Sequence, residues 1–195
     1  MIRRISWSPR TQFNLIQCKY HKYTRSKGDS MTSILVVFFS RTGATRIIAN
    51  EIASTLKGDI EEIEDTTGRS GPLGWLKAGA DAGRKSLTKL KPIKNDPSDY
   101  NIIIVGSPVW NGTVSTPIRT YLTEQKDKIK ASAFWVSGYK TDNNAIVEMT
   151  EIINGEPIST LRLLGKEEVQ AGKYKEKLDE FLSKIEEYTN ESDES

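Results

Sequence analysis

The 195-residue chain carries 28 lysine and arginine residues against 26 aspartate and glutamate residues, with one cysteine, Cys18, and one histidine, His21. A single cysteine excludes an internal disulfide framework and fits a reducing, cytoplasmic location. Because both residues precede Met31, nucleophilic cysteines, Ser–His pairs and His/Cys metal sites are excluded from the rest of the chain. Demanding chemistry there would depend on a cofactor.

Residues 1–30 differ in charge from the remainder. They hold seven of the basic residues and one acidic residue, which leaves 21 basic and 25 acidic residues in 31–195, a net charge of about −4. That balance argues against a nucleic-acid-binding surface, and no apolar run is long enough to span a membrane. The first thirty residues lack periodicity and fit either a transit segment or a chain that starts at Met31. We predict a non-structural extension over 1–30, a folded domain over 31–189 and an acidic tail over 190–195.

The first predicted strand is the apolar run 34–39, which is typical of a strand buried on both faces of a parallel sheet. It ends at Ser40-Arg-Thr-Gly-Ala-Thr45, here called the hydroxyl turn, in which three hydroxyl side chains surround Gly43. The helix that follows has an apolar face made of Ile47, Ile48, Ile52 and Leu56. A helix N-terminus presents unpaired N–H groups and a positive dipole end, so the pattern predicts an anion site. Helix capping alone is the alternative, but one cap needs only one hydroxyl.

Further elements alternate along the chain. Strands are predicted at Asp59–Glu64, Tyr100–Gly106, Ala133–Gly138 and Ser159–Leu164, and helices at Leu73–Leu87, from Thr116, at Asn144–Asn154 and at Glu167–Tyr188. Five strands alternating with five helices predict an α/β fold with a doubly wound, five-stranded parallel sheet. In the strand order 2-1-3-4-5, ligands bind outside the carboxyl ends of strands 1 and 3, where the loops 40–45, 107–113 and 138–143 converge.

Two of these loops carry aromatic side chains. Trp110 lies between a proline and a glycine, is expected to be exposed, and offers a surface on which a flat ring could stack. Asn111-Gly112 permits positive φ, and Tyr139 supplies a second aromatic after Gly138. Each aromatic taken alone is equally compatible with a core or surface residue. Their joint position after neighbouring strands favours a ring-binding site.

Residues 34–188 resemble the flavodoxin family through the hydroxyl turn, through Gly106-Ser-Pro-Val-Trp-Asn-Gly112 and through Gly138-Tyr139. The resemblance implies non-covalent FMN and electron transfer between redox partner proteins, a reductase and an acceptor. It implies a phosphate-side group of Ser40, Thr42, Gly43, Ala44 and Thr45, and Arg41 within the same turn is a further candidate. It implies a ring-side group of Ser107, Pro108, Val109, Trp110, Asn111 and Gly112 on one side, and of Gly138, Tyr139 and Asp142 on the other.

The sequence also departs from the electron carriers of that family. Those carriers are usually strongly acidic, whereas this domain is mildly acidic and has Arg41 and Arg46 beside the hydroxyl turn. The segment Gly74-Trp-Leu-Lys-Ala-Gly79 is similar to a less characterised branch of flavodoxin-like proteins. Three functions therefore stay open: an electron carrier, an NAD(P)H-dependent reductase of quinones or free flavin, and a binding module that has lost FMN.

Overall fold

A parallel sheet forms the centre of the domain in the computed structural model, which describes residues 32–66, 81–141 and 143–193. The strands are β1 (Ile34–Phe38), β2 (Asp59–Glu62), β3 (Ile102–Trp110), β4 (Thr113–Val114), β5 (Ala131–Gly138) and β6 (Thr160–Leu164). The order is β2-β1-β3-β5-β6, with each of these neighbours parallel. The predicted doubly wound order is confirmed. The short β4, antiparallel to the end of β3, was not predicted.

Helices cover both faces of the sheet. Those lying wholly within the described residues are α1 (Ala44–Leu56), α2 (Thr116–Gln125), α3 (Ala145–Ile153) and α4 (Lys175–Asp193). Because side chains alternate along a strand, Val36 and Phe38 join the core beneath α1 and α4, whereas Leu35 and Val37 join the core beneath α2 and α3. The continuous apolar run of β1 is thus explained by burial on both of its faces.

Strand β3 is longer than predicted, since it continues past Gly106 to Trp110 and includes Pro108. Strand β1 ends beside Gly106, whose carbonyl accepts a hydrogen bond from the Phe39 N–H at 3.3 Å. Residues two apart in a strand direct their backbone N–H and C=O groups to the same side. Pro108 therefore faces the same side as Gly106, but β1 has already ended and offers it no partner. The missing N–H of proline therefore costs no ladder bond, while β5 still pairs with the strand on its other side.

Some predicted helix boundaries are wrong. The last helix begins at Lys175 rather than Glu167, because a π-helical turn over Gly165–Val169 comes first and Gly172, at φ 71°, ends it. Helix α3 stops at Ile153, and Asn154, rather than the glycine after it, takes the left-handed cap conformation. Each boundary was set by a local backbone conformation that apolar periodicity does not encode.

Three predicted segments lie wholly or partly outside the described residues. The extension over 1–30 lies wholly outside them, and the predicted tail is described only as far as residue 193. The predicted helix 73–87 is described from residue 81, is helical at 81–83 and turns at Lys85, with φ 53°. Within the three described ranges, no helix is long and apolar enough to cross a membrane.

We expect Gly106→Ala to destabilise the fold by about 1–3 kcal/mol, because an added Cβ would lie 1.9 Å from Cζ2 of the fully buried Trp135. Chemical denaturation measures the loss. Gly155→Ala is the matched control, since the nearest atom to its added Cβ, Cγ2 of Ile153, would lie 3.8 Å away. Trp135→Phe in the Gly106→Ala background should cost less than the two separate losses added together. Strict additivity would contradict the clash.

Candidate functional site

The carboxyl ends of β1, β3 and β5 are joined by direct contacts. Thr45, in the first turn of α1, shares a buried hydrogen bond of 2.9 Å with the Ser137 hydroxyl near the end of β5. A Cβ added at Gly138 would lie 2.9 Å from the Cβ of Val109, so the ends of β3 and β5 also approach closely. The convergence of loops predicted from the strand order is therefore present.

The hydroxyl turn leads into α1 through Gly43, which has φ 96° and occupies the N-cap position. The Ser40 hydroxyl accepts hydrogen bonds from the N–H groups of Gly43, at 3.2 Å, and of Arg46, at 3.3 Å. The first bond of the helix runs from the Ile47 N–H to the Gly43 carbonyl. The N–H groups of the first helical turn precede that bond and are oriented toward the carboxyl edge of the sheet.

The three hydroxyls of the turn have different environments. Ser40 caps the helix, Thr45 is buried against Ser137, and Thr42 is exposed. Capping therefore accounts for one hydroxyl and packing for a second. The Thr42 hydroxyl is the one of the three that faces solvent beside the N-terminus of α1.

The two arginines of the turn also differ. Arg46 pairs with Glu62 of β2, with 3.0 Å between Nε and Oε2, and this hydrogen bond raises the pKa of its guanidinium above the ordinary value. Its charge is therefore directed at β2, as a solvent-exposed ion pair. Arg41 is half-buried within the turn.

A two-residue hairpin joins β3 to β4. Trp110 pairs with Thr113 across the turn, and Asn111 and Gly112 have φ 49° and 76°. Positive φ at both central residues defines the type I′ turn that Asn-Gly favours, so the predicted backbone conformation is confirmed. The Gly112 carbonyl accepts a hydrogen bond from the Asn144 N–H at 2.9 Å, which ties the Asn-Gly hairpin to the start of α3.

The two aromatic residues predicted to line the ring site, Trp110 and Tyr139, differ in their exposure to solvent. Trp110 is 8% exposed, so the expectation that it is exposed is wrong. Its ring meets Phe39 edge to face, with centroids 5.4 Å apart, and packs with Ala82 from the segment that follows the undescribed residues. That cover comes from a distant part of the chain and has no local signature. Tyr139, by contrast, is 83% exposed.

The remaining predicted residues lie at the same edge with different surroundings. Ser107 is fully buried, and its hydroxyl bonds with the Ser115 hydroxyl at 2.9 Å, which gives it a place in the core. Pro108 and Val109 are half-buried. Asp142 lies outside the described residues.

Sequence reasoning missed a buried ion pair beneath the Asn-Gly hairpin. Arg119 and Glu148 are 3% and 6% exposed, and the Arg119 Nε donates to Glu148 Oε1 at 2.9 Å. A signal for it was present, because Glu148 falls three residues after Ala145 and four before Ile152 on the apolar stripe of α3. A charge at such a position requires a buried partner.

The doubly wound sheet, with a hydroxyl turn after β1 at its carboxyl edge, defines a flavodoxin-like α/β protein. The flavodoxin family model matches residues 33–154, and the chain belongs to this family. No curated protein matches the chain significantly.

Solved structures resemble the chain over most of their length. A Lactobacillus acidophilus flavoprotein in complex with FMN is 25% identical, with a TM-score of 0.59, over 67% of this chain and 93% of that one. A protein from Bacteroides eggerthii is 21% identical, with a TM-score of 0.60, over 72% and 92%. Oxidised flavodoxin 2 from Bacillus cereus is 20% identical, with a TM-score of 0.50, over 80% and 99%. The last two likenesses concern the fold.

We expect Gly43→Ala to destabilise the protein by about 1–2 kcal/mol, because an L side chain at φ 96° is strained. Nothing lies within 4 Å of the added Cβ, so the loss would be conformational rather than steric. Thermal unfolding measures it. Gly165→Ala is the control, since an added Cβ there would lie 3.8 Å from its nearest neighbours and its φ is outside the left-handed region. Equal stability in the two variants would contradict the strain.

Proposed function

We propose that the protein is an FMN-binding flavoprotein that transfers electrons between redox partner proteins. The single observation that carries the proposal is the hydroxyl turn, in which Gly43 starts a helix at the carboxyl end of β1. Family membership and the 25% identity to a flavoprotein in complex with FMN support the choice of ligand.

The donor set of the turn fits a phosphate group. Backbone N–H groups of Ala44 and Thr45 lie in the first turn of α1, where the helix dipole favours negative charge. The exposed Thr42 hydroxyl adds a donor at the same edge. Arg46 already pairs with Glu62, so the backbone and Thr42 would provide the main contacts.

The ring would lie between the Asn-Gly hairpin and Tyr139. Asn111 and Gly112 form a tight turn at the end of β3, and Tyr139 offers an exposed aromatic face after β5. Trp110, being buried, would contribute an edge and exclude water rather than cover a ring face. When bound, FMN supplies one- and two-electron transfer chemistry, which suits a domain without histidine or cysteine.

An electron carrier is favoured over a reductase by the exposure of Tyr139 at this edge. A large aromatic side chain in water suits contact with a partner protein. The single cysteine of the chain suits a reducing compartment such as the cytoplasm. The boundary of the domain near residue 30 stays a prediction, and the family match from residue 33 is consistent with it.

The cofactor is tested by heating the purified protein and identifying the released flavin by mass spectrometry. FMN is expected, and FAD as the main flavin would contradict the proposal.

Thr42→Ala should weaken FMN binding by about 1–3 kcal/mol, the size of a lost charge-assisted hydrogen bond. Fluorescence titration measures this. Thr55→Ala, at the other end of α1 with its hydroxyl bonded to the Glu51 carbonyl, should bind like wild type. Protein that stays colourless with added FMN would favour a flavin-less binding module.

The role is tested by following the absorbance of the FMN-loaded protein. Direct oxidation of NADH or NADPH is expected to be slow, because a carrier receives electrons from a docked reductase. Reduction by a flavodoxin reductase is expected to be fast, and bovine serum albumin in place of the reductase is the control. Rapid turnover of NAD(P)H with a quinone by the isolated protein would favour the enzyme.

A further inference from the structure

The outer edge of β4 lacks a neighbouring strand among the described residues. Trp110 and Thr113 close the two-residue hairpin, so Val109 and Val114 form the next pair. In an antiparallel ladder the pair next to a hydrogen-bonded pair directs its N–H and C=O groups outward. The backbone of Val114 therefore faces away from β3, and Val114 is fully buried, so these groups require partners other than water.

Side chains of two helices provide those partners. The Val114 N–H donates to Glu148 Oε2 at 3.4 Å, and Arg119 Nη2 donates to the Val114 carbonyl at 3.3 Å. Arg119 extends from α2 and Glu148 from α3. The acceptor and the donor thus occupy the positions that a further strand would supply.

Arg119 also binds the chain on either side of the hairpin. Its Nη2 is 3.2 Å from the Thr113 hydroxyl and 3.2 Å from the Ala82 carbonyl, and its Nη1 is 3.5 Å from the Ser86 carbonyl. Ala82 packs against the Trp110 ring. One guanidinium therefore connects β4 with the segment that covers Trp110.

The energetics indicate a positional role. Taking two charges out of water offsets much of their attraction, so a buried pair adds little net stability compared with well-packed apolar residues. An apolar pair could fill the same space, but it could not bind the N–H and C=O of Val114. The polar pair is therefore best explained by the backbone conformation that it selects.

We propose that Arg119 and Glu148 are positioning residues that fix the Asn-Gly hairpin as one wall of the flavin site. The part of this inference that concerns the flavin rests on the proposed function, whereas the part that concerns the hairpin does not. The pair would act through Thr113 and Val114, without touching the flavin itself.

The test uses Arg119→Met/Glu148→Leu in the full chain, which removes both charges and leaves no unpaired ion. Glu61→Gln is the matched control, because Glu61 is 5% exposed and accepts hydrogen bonds from the Lys94 and Asn95 N–H groups, away from the hairpin. Amide exchange is measured without ligand. FMN affinity and the midpoint potential of bound FMN are measured separately.

The double variant should exchange the Val114 amide about tenfold faster than wild type, since one buried hydrogen bond is lost. It should bind FMN about tenfold more weakly, with a shifted midpoint potential, whereas Glu61→Gln should leave all three unchanged. Unchanged Val114 exchange in the double variant would overturn the hairpin role. Faster exchange with unchanged FMN affinity and potential would overturn the flavin role, as would an equal loss of affinity in Glu61→Gln.

If the double variant does not fold, Arg119→Met/Glu148→Met replaces it, because two flexible thioether side chains fill the space of the pair and still leave the Val114 N–H without its Glu148 acceptor. The same outcomes then apply. If the wild-type protein binds no FMN, the proposed function and the flavin part fail together, and amide exchange still decides the hairpin part.

Discussion

The packing of the Trp135 ring over Gly106 is the contact on which the carboxyl edge of the sheet depends. These residues are paired in register between β3 and β5, and the ring fills the space that a side chain on β3 would occupy. The Gly106 carbonyl also accepts a hydrogen bond from the Phe39 N–H, at the point where β1 ends and the hydroxyl turn begins. One missing Cβ thus lets the Trp135 ring pack against β3 at the point where β1 ends and the hydroxyl turn begins.

Two kinds of constraint act above that edge. Apolar packing places Trp110 between Phe39 and Ala82, which holds the end of β3 but leaves the backbone of β4 unsatisfied. The ion pair between Arg119 of α2 and Glu148 of α3 supplies the missing hydrogen-bond partners. Packing therefore holds the end of β3, and the polar pair satisfies the backbone of Val114 beside the Asn-Gly hairpin. Each constraint includes a residue remote in sequence from the hairpin, Ala82 for the packing and Glu148 for the ion pair.

Features whose cause is local could be predicted from the sequence. The apolar runs of β1 and β3, the turn at Gly43 and the positive φ of Asn111-Gly112 follow from residue type and spacing. The alternation of strands and helices predicted the doubly wound parallel sheet. The exposure of Trp110 could not be predicted, because the segment that covers it lies almost thirty residues earlier. The burial of Ser107 depends in the same way on contact with Ser115. The start of α4 was missed because a π-helical turn and the left-handed Gly172 interrupt an otherwise helical pattern.

The positive charges beside the hydroxyl turn are compatible with the family once their surroundings are considered. Arg46 forms an ion pair with Glu62, and an exposed pair of this kind contributes at most about 1 kcal/mol of stability. The turn does not need that charge, because the N–H groups at the start of α1 and the helix dipole already favour an anion. Backbone donors impose few demands on side chains, so arginines can occupy positions 41 and 46 while Gly43 must keep its positive φ. The side chains around the turn are then free to differ according to what approaches this edge from solution.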